Sequence, residues 1–554
     1  MTTTYIPESA RDRFDYVVVG GGTAGCIIAS RLAEYLPEKK ILVIEGGPSD
    51  FMDDRVLKLD QWLALLGGEL DYDYPTTEQP MGNSHIRHSR AKVLGGCSSH
   101  NTLISFRPFE YDMKIWESFG VRGWDHATLM RLMGKLRNTV QPVHARHRNQ
   151  LCQDWVKACS GALDVPIIDN FNKDIAEAGA LTQGVGFFNI SYNPDDGRRS
   201  SASVAYIHPI LRGEESRPNL TILTNAWVDR VNVAGDAVTG VSLTLRDGSK
   251  RVVEAGAETI LCAGAVDTPR LLLLSGLGPK DQLSGLGIPV VRDVAGVGEN
   301  LVDHPESIIM WELGRPVPKN QTTMDSDAGI FLRREAPDAA ARSGATPTNP
   351  RALPDGAVAD VMMHCYQIPF ALNTARLGCD VPADGYAFCM TPNIPRPRSR
   401  GRLYLTSPDP KVKPALDFRY FTDPDGYDAA TLVYGIRAAR KVAEQEPFKG
   451  WIKREVAPGP AVQTDEEISE YARRAAHTVY HPAGTTRMGD VESDPLAVVD
   501  SRLRLRGLRG VRIADAGVFP TIPSINPMLT VMGIAERCAE MVAEDAGVKL
   551  PAKL

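Results

Sequence analysis

Two stretches of the chain put reactive side chains where little local structure would hold them. In GGCSSHN, residues 95–101, a histidine follows a run of glycine and serine that favours neither helix nor strand. In HTVYHPAG, residues 477–484, two histidines stand four residues apart. On a helix that spacing would put both imidazoles on one face, as a metal pair requires. Pro482 argues against the helix, because the residue before a proline is pushed out of helical geometry. His481 is therefore read as a single imidazole on irregular backbone, able to take or hold a proton near neutral pH.

What positions GGCSSHN depends on the first fifty residues. FDYVVV, residues 14–19, is a β-branched run; GGGTAG follows, and CIIASRLAEYL carries helical periodicity as far as Pro37. KILVIE is a second apolar run, and it ends in Glu45, twenty residues after Gly25. Strand, glycine turn, helix and strand form a βαβ unit with the dinucleotide fingerprint Gly20-x-Gly22-x-x-Gly25 and its acidic partner. Gly20 allows the tight turn, Gly22 lets backbone approach a pyrophosphate at the helix N-terminus, and Gly25 lets helix and strand pack closely. Glu45 would accept hydrogen bonds from a ribose. The fingerprint alone does not separate NAD from FAD.

At 554 residues the chain exceeds a single hydrophobic core, which stops growing at roughly 250 to 300 residues, so two domains are expected. With 43% hydrophobic and 23% charged residues it has the composition of a soluble globular protein. A net charge of -6 gives no footprint for nucleic acid. The nine cysteines include no CxxC, so reduced thiols are expected rather than a zinc site or a disulfide framework. The N-terminus lacks a basic segment followed by an apolar one, and no apolar run reaches the roughly 20 residues of a membrane span. A soluble cytoplasmic protein without a membrane partner is the expectation.

Several segments together resemble the glucose-methanol-choline (GMC) flavoprotein oxidoreductases: AKVLGGCSSHN, GAVDTPRLLLLSGLGP (264–279), VGENLVDHP (297–305), GRRSSASVAYIHP (197–209), HPAGTTRMG, RIADAGVFP and INPMLTVMGIAERCA. They span nearly the whole chain in the family's order. Within the family the likeness is to the choline oxidases, which share CSSHN, LDQWLALL around Trp62, DHPE and TVYHPAGT. The resemblance implies an α/β fold: a Rossmann-type FAD-binding domain over 1–160, 214–310 and 462–554, and an antiparallel-sheet substrate domain over 161–213 and 311–461. It implies FAD, tethered through His100 to the flavin 8-methyl group, with Gly95, Gly96, Asn101, Val228, Asp515 and Pro527 also against the cofactor. No metal is expected.

The activity implied is oxidation of a primary alcohol to an aldehyde by hydride transfer to flavin N5, with O2 reoxidising the flavin to give hydrogen peroxide. Hydride leaves readily only when the substrate oxygen gains negative charge, which a placed imidazole favours. His481 and Asn526 occupy the family's catalytic positions. Trp62, Phe370, Tyr480 and Glu306 match a cage for a trimethylammonium group, and Thr102 stands where choline oxidases carry serine. MDSDAGIF, residues 324–331, departs from the pattern: Asp325 and Ser326 replace two tryptophans, so a substrate larger, more polar or more cationic than choline is expected, facing Asp325 and Asp327. The alternatives are a dehydrogenase passing electrons to a quinone or a protein, and a hydroxynitrile lyase. Relatives suggest a homodimer.

Elsewhere, residues 228–253 alternate with turn signals as an antiparallel meander would, GRLYLTS and ALDFRYF read as later strands, and RIADAGVFP reads as a strand ending in Asp515. Residues 336–357, rich in Ala, Pro and Gly, read as an exposed loop. The basic runs RPRSRGR (396–402) and RLRLRGLRG (502–510) are weighed against nucleic-acid binding, and the second is read as an edge strand with one wet face.

Overall fold

The first apolar run becomes strand β1, Asp12–Val19, whose last four residues are buried; GGG turns the chain into helix α1, Thr23–Tyr35, and β2, Ile41–Ile44, returns parallel to β1. In this computed structural model the structure describes residues 12–193, 196–319, 324–334 and 358–550. The loop expected over 336–357 lies outside those residues.

Two sheets carry the fold. In the first, seven-stranded sheet the order runs Leu220–Leu223, β2, β1, Lys250–Leu261, Ala237–Leu245, Ala226–Ala234. Lys250–Leu261 joins two regimes: it pairs antiparallel with Ala237–Leu245 near its start, and parallel with β1 along its length and with Val511–Ile513 near its end. The expected meander is thus present, and it widens the nucleotide-binding sheet. The second sheet has eight strands, every pair antiparallel, ordered Ile452–Ala457, Ile309–Leu313, Ala387–Asn393, Val361–Tyr366, Ala328–Leu332, Gly184–Phe187. Pro305–Glu306 joins it through Asn393 and carries His477–Thr478 on its other side.

Helix Met528–Asp545 packs against α1. Arg31 on α1 donates from Nε to both carboxylate oxygens of Glu536 at 3.0 Å, and the Tyr206 hydroxyl donates to the same carboxylate at 2.8 Å. Glu536 is fully buried, so removing Arg31 would leave an uncompensated charge costing about 3 kcal/mol or more. The pairing ties this last helix to α1, and Asn526 stands two residues before its first residue, Met528.

Three expectations change. Gly401–Tyr404 and Ala415–Asp417 do form strands, but they pair with each other and Glu299–Leu301 in a separate three-stranded sheet. The run RLRLRGLRG is not an edge strand: it makes turns and isolated bridges, and its arginines pair with Asp545, Glu544 and Asp236. Local acids, rather than a solvated strand face, absorb that charge. RIADAGVFP holds a strand over Val511–Ile513 only, and Asp515 instead caps the short 3-10 turn Ala516–Val518 with its side chain.

Candidate active site

One cleft is lined by Gly20, Gly22, Glu45, Gly96, His100, Asn101, Thr102, Val228 and Asp515. The same cleft is bordered by Trp62, Glu306, Phe370, Tyr480, His481, Asn526 and Pro527. Residues far apart in sequence therefore share one space. Gly25 and Gly95 act behind the wall. A Cβ on Gly25 would lie 1.8 Å from the Gly20 carbonyl oxygen, and one on Gly95, whose φ is +87°, would strike the hydroxyls of Ser99 and Ser203.

The first loop has the features an FAD pyrophosphate and ribose require. Helix α1 starts without a capping side chain and without an acid in its first turn, so its leading N–H groups remain available to an anion. Gly22 faces the cleft, and a Cβ there would meet nothing nearer than 3.7 Å. That glycine answers to what fills the cleft rather than to the protein. Glu45 is held by the Gly21 and Gly47 amides at 3.0 and 2.7 Å, and burial raises its carboxyl to about 7 against those donors. Asp515 accepts from the Gly264 amide and the Thr268 hydroxyl.

GGCSSHN folds into a 3-10 turn, Gly96–Ser99, and His100 ends it, nearly buried. The turn rests on a buried polar cluster in which Asp50 takes His208 Nε2 on one oxygen and the hydroxyls of Ser203 and Ser99 on the other. His100 Nε2 lies 3.0 Å from the Leu65 carbonyl, which only accepts, so Nε2 carries the proton and Nδ1 accepts from Ser89 at 3.2 Å. Burial lowers this imidazole to about 4, leaving it neutral with a lone pair on Nδ1.

Elsewhere along the cleft, the Glu306 carboxyl is buried, its Oε2 has no hydrogen-bond partner, and burial pushes it up to about 8. Aromatic rings surround the same space: Tyr366 lies 6.3 Å from Trp62, Phe370 packs on His477 at 5.2 Å, and Tyr480 packs on His477 at 5.3 Å. Tyr480 holds φ of +64°, a strained setting for a bulky residue and one that turns the chain into His481.

Asp325 is the exception among the expected residues. It does not border the cleft; its carbonyl accepts from the Gln367 amide, and the charges that bear on its side chain are those of Lys319, Asp384 and Asp60. Asp327 is buried and receives the Met324 amide. The wall expected there is supplied instead by His364 and Tyr366, from the neighbouring strand Val361–Tyr366. Nothing in VMMHCY marked it, because every residue of that strand is buried and the run reads as core. His304, within DHPE, is likewise unmarked by period or spacing, yet its ring contacts His481 directly.

His481 is bonded through its backbone N–H to Asp303 at 2.9 Å, and Tyr420 donates to the other oxygen of that carboxylate at 2.7 Å. Burial keeps the His481 ring neutral, well below its ordinary pKa, and the charge of Arg90 acts in the same sense. A neutral imidazole, a buried amide at Asn526 and a buried carboxyl with an unbonded oxygen, with aromatic rings beside it, thus line one cleft.

That fold and that cleft define a FAD-dependent oxidoreductase acting on an alcohol. The chain belongs to the GMC oxidoreductase family: its N-terminal model matches residues 14–306 and its C-terminal model residues 397–535. It is 40% identical to the choline oxidase of Arthrobacter globiformis, over 97% of this chain and 95% of that protein. It is 34% identical to the oxygen-dependent choline dehydrogenase of Staphylococcus haemolyticus (strain JCSC1435), over 96% and 94%. The crystal structure of pyridoxine 4-oxidase from Mesorbium loti superposes with a TM-score of 0.83 at 26% identity, over 95% and 98%.

Proposed function

We propose that the protein oxidises a primary alcohol carrying a quaternary or otherwise cationic group to its aldehyde, with O2 taking the electrons as hydrogen peroxide. The observation that carries this reading is Glu306, a buried carboxylate with an unbonded oxygen, in a cleft lined by Trp62, Tyr366, Phe370 and Tyr480. An ammonium group without N–H donors is held by ring faces and by one anion; the rings are present, and Glu306 is a buried carboxyl that a bound cation would hold ionised. Likeness to a choline oxidase and an oxygen-dependent choline dehydrogenase supports both the substrate class and the acceptor.

Bound FAD supplies the two-electron acceptor, taking hydride at N5. His481 accepts the hydroxyl proton, and Asn526 donates to the oxygen as its charge grows. Gly20, Gly22 and Glu45 hold the nucleotide, with Gly96, Asn101, Val228, Asp515 and Pro527 along the rest of the cofactor. Thr102 adds a hydroxyl on the substrate side. His100 would hold the cofactor covalently, through its ring, at the flavin 8-methyl group. Residues 1–160, 214–310 and 462–554 form the cofactor domain, and 161–213 with 311–461 the substrate domain. A cytoplasmic homodimer completes the reading; among the described residues no helix is long and apolar enough to cross a membrane.

The test is a panel of cationic and neutral primary alcohols mixed with the holoenzyme under nitrogen, followed by admission of air. Bleaching of the flavin by cationic members and peroxide on reoxidation support the proposal. Bleaching only by neutral members rejects the cationic class, and recovery of the oxidised flavin only with a quinone rejects the acceptor.

A further inference from the structure

The Nδ1 atoms of His304 and His481 stand 2.9 Å apart, with the two rings edge to face at 88°. Two imidazole nitrogens bond at that distance only when one carries a proton and the other a lone pair. The direction is set from the far side of His304. Its Nε2 lies 3.0 Å from the Pro395 carbonyl, and a carbonyl can only accept. His304 is buried and neutral, its pKa lowered to about 4 by desolvation. The Pro523 carbonyl also bears on the ring and raises its basicity, but a neutral imidazole has one N–H, and the Pro395 contact takes it.

His304 Nδ1 therefore presents a lone pair, and His481 Nδ1 must supply the proton. The remaining lone pair of His481 is then on Nε2, in a residue that borders the cleft and is partly exposed to it. The other tautomer would turn an N–H toward an alcohol and could not take its proton. Asp303, the preceding residue, grips the His481 backbone, and Pro305–Glu306 pairs with His477–Thr478. Residues 303–306 thus fix the backbone of the 477–481 segment and the ring of His481 together. The charges facing His481 from other elements are those of Arg90 and His364, and neither provides an acceptor for its Nδ1 proton in place of His304.

We propose that His304 is a positioning residue that holds His481 in the tautomer with the proton on Nδ1 and the lone pair on Nε2, directed at the substrate. The proposal rests on His481 as the proton acceptor. In the step it prepares, the O–H bond breaks, a bond from that proton to Nε2 forms, and the electron pair stays on the substrate oxygen. Setting the tautomer is worth about as much as the proton transfer it enables, roughly 10²- to 10⁴-fold in rate.

The experiment is side-chain 15N NMR of the histidine-labelled holoenzyme, with the His481 signals identified by their loss in His481→Asn. The wild type should show a protonated Nδ1 and a bare Nε2. His304→Leu should move the proton to Nε2 or mix the two forms, and His304→Asn, whose amide oxygen can replace the lost acceptor, should restore it. Choline serves as the probe alcohol for the rate. Flavin reduction by it should fall at least 10²-fold in His304→Leu with apparent Kd changed less than threefold, and recover at least tenfold in His304→Asn. A wild-type His481 protonated at Nε2, or a tautomer unmoved in both variants, overturns the proposal. Should His304→Leu not fold, the wild type and His304→Asn still decide. Because the tautomer is read without substrate, a failure of choline to bleach the flavin counts against the substrate reading alone.

Discussion

The ring of Tyr366 lies nearly parallel to that of Phe370, at 15° with centroids 5.2 Å apart, and tilts toward Trp62 at 6.3 Å. Two rings from one stretch of chain thereby line the cleft together with the indole of another. Tyr366→Ala should remove one wall and weaken a cationic alcohol by about 1.5 kcal/mol, roughly tenfold in kcat/KM, while Tyr366→Phe should change it less than threefold. Steady-state kinetics with a cationic alcohol and its uncharged isostere check this; an equal loss for both would assign Tyr366 to shape rather than to charge.

Glu306 makes substrate binding depend on pH. Its carboxyl, pushed up to about 8 by burial, is neutral at lower pH in the free enzyme, and a cation binds the ionised form. Below pH 8 each unit of acidification should weaken a cationic alcohol about tenfold, with one proton released on binding; above it affinity should level off. Glu306→Gln should abolish the slope and cost about 2 kcal/mol, roughly thirtyfold. Titrations with a neutral alcohol should be flat through the same range.

Gly22 and Gly25 separate what the fold needs from what the cofactor needs. A Cβ on Gly25 meets the Gly20 carbonyl at 1.8 Å, so Gly25→Ala should destabilise the apoprotein. A Cβ on Gly22 makes only ordinary contact, nearest the Gly96 Cα at 3.7 Å, and its φ of -81° suits alanine. Gly22→Ala should therefore keep the melting temperature of cofactor-free protein within about 2 °C and yet purify with little FAD.

Acid-precipitated wild-type protein should stay yellow, and His100→Ala should release its flavin to the supernatant. Ser99→Ala, which removes one hydroxyl from the Asp50 cluster beneath the turn, should lower the tethered fraction without abolishing FAD binding. The absorbance of pellet and supernatant measures both.

His481→Ala should slow flavin reduction by about 10² to 10⁴, the range of a lost proton acceptor. Stopped-flow mixing under nitrogen isolates that step, and a loss under tenfold would remove His481 from the chemistry.

The βαβ unit, its glycines and Glu45 were legible in the sequence because each is a local device: a turn needing positive φ, a helix start, a strand period of two. His100, His481 and Asn526 were marked by motifs that keep their spacing along the chain. Distance in space was not marked. Asp325 reads as a cleft residue from its place in a pattern, but it lies in a bend ahead of strand Ala328–Leu332 and off the cleft, which Tyr366 lines instead. The basic run at 502–510 alternated like an edge strand, and acids on other elements claimed its arginines.

Period and spacing thus determined the nucleotide loop, and the resemblance of the motifs to the GMC family implied the kind of chemistry, since both depend on neighbours a few residues away. Tertiary structure alone decided that His304 meets His481 across 177 residues, that Tyr366 closes the cage, and that Glu306 has no cation beside it among the described residues. Such relations arise when strands of one sheet are brought into register by packing, and no periodicity within a strand encodes which side chain of another will face it.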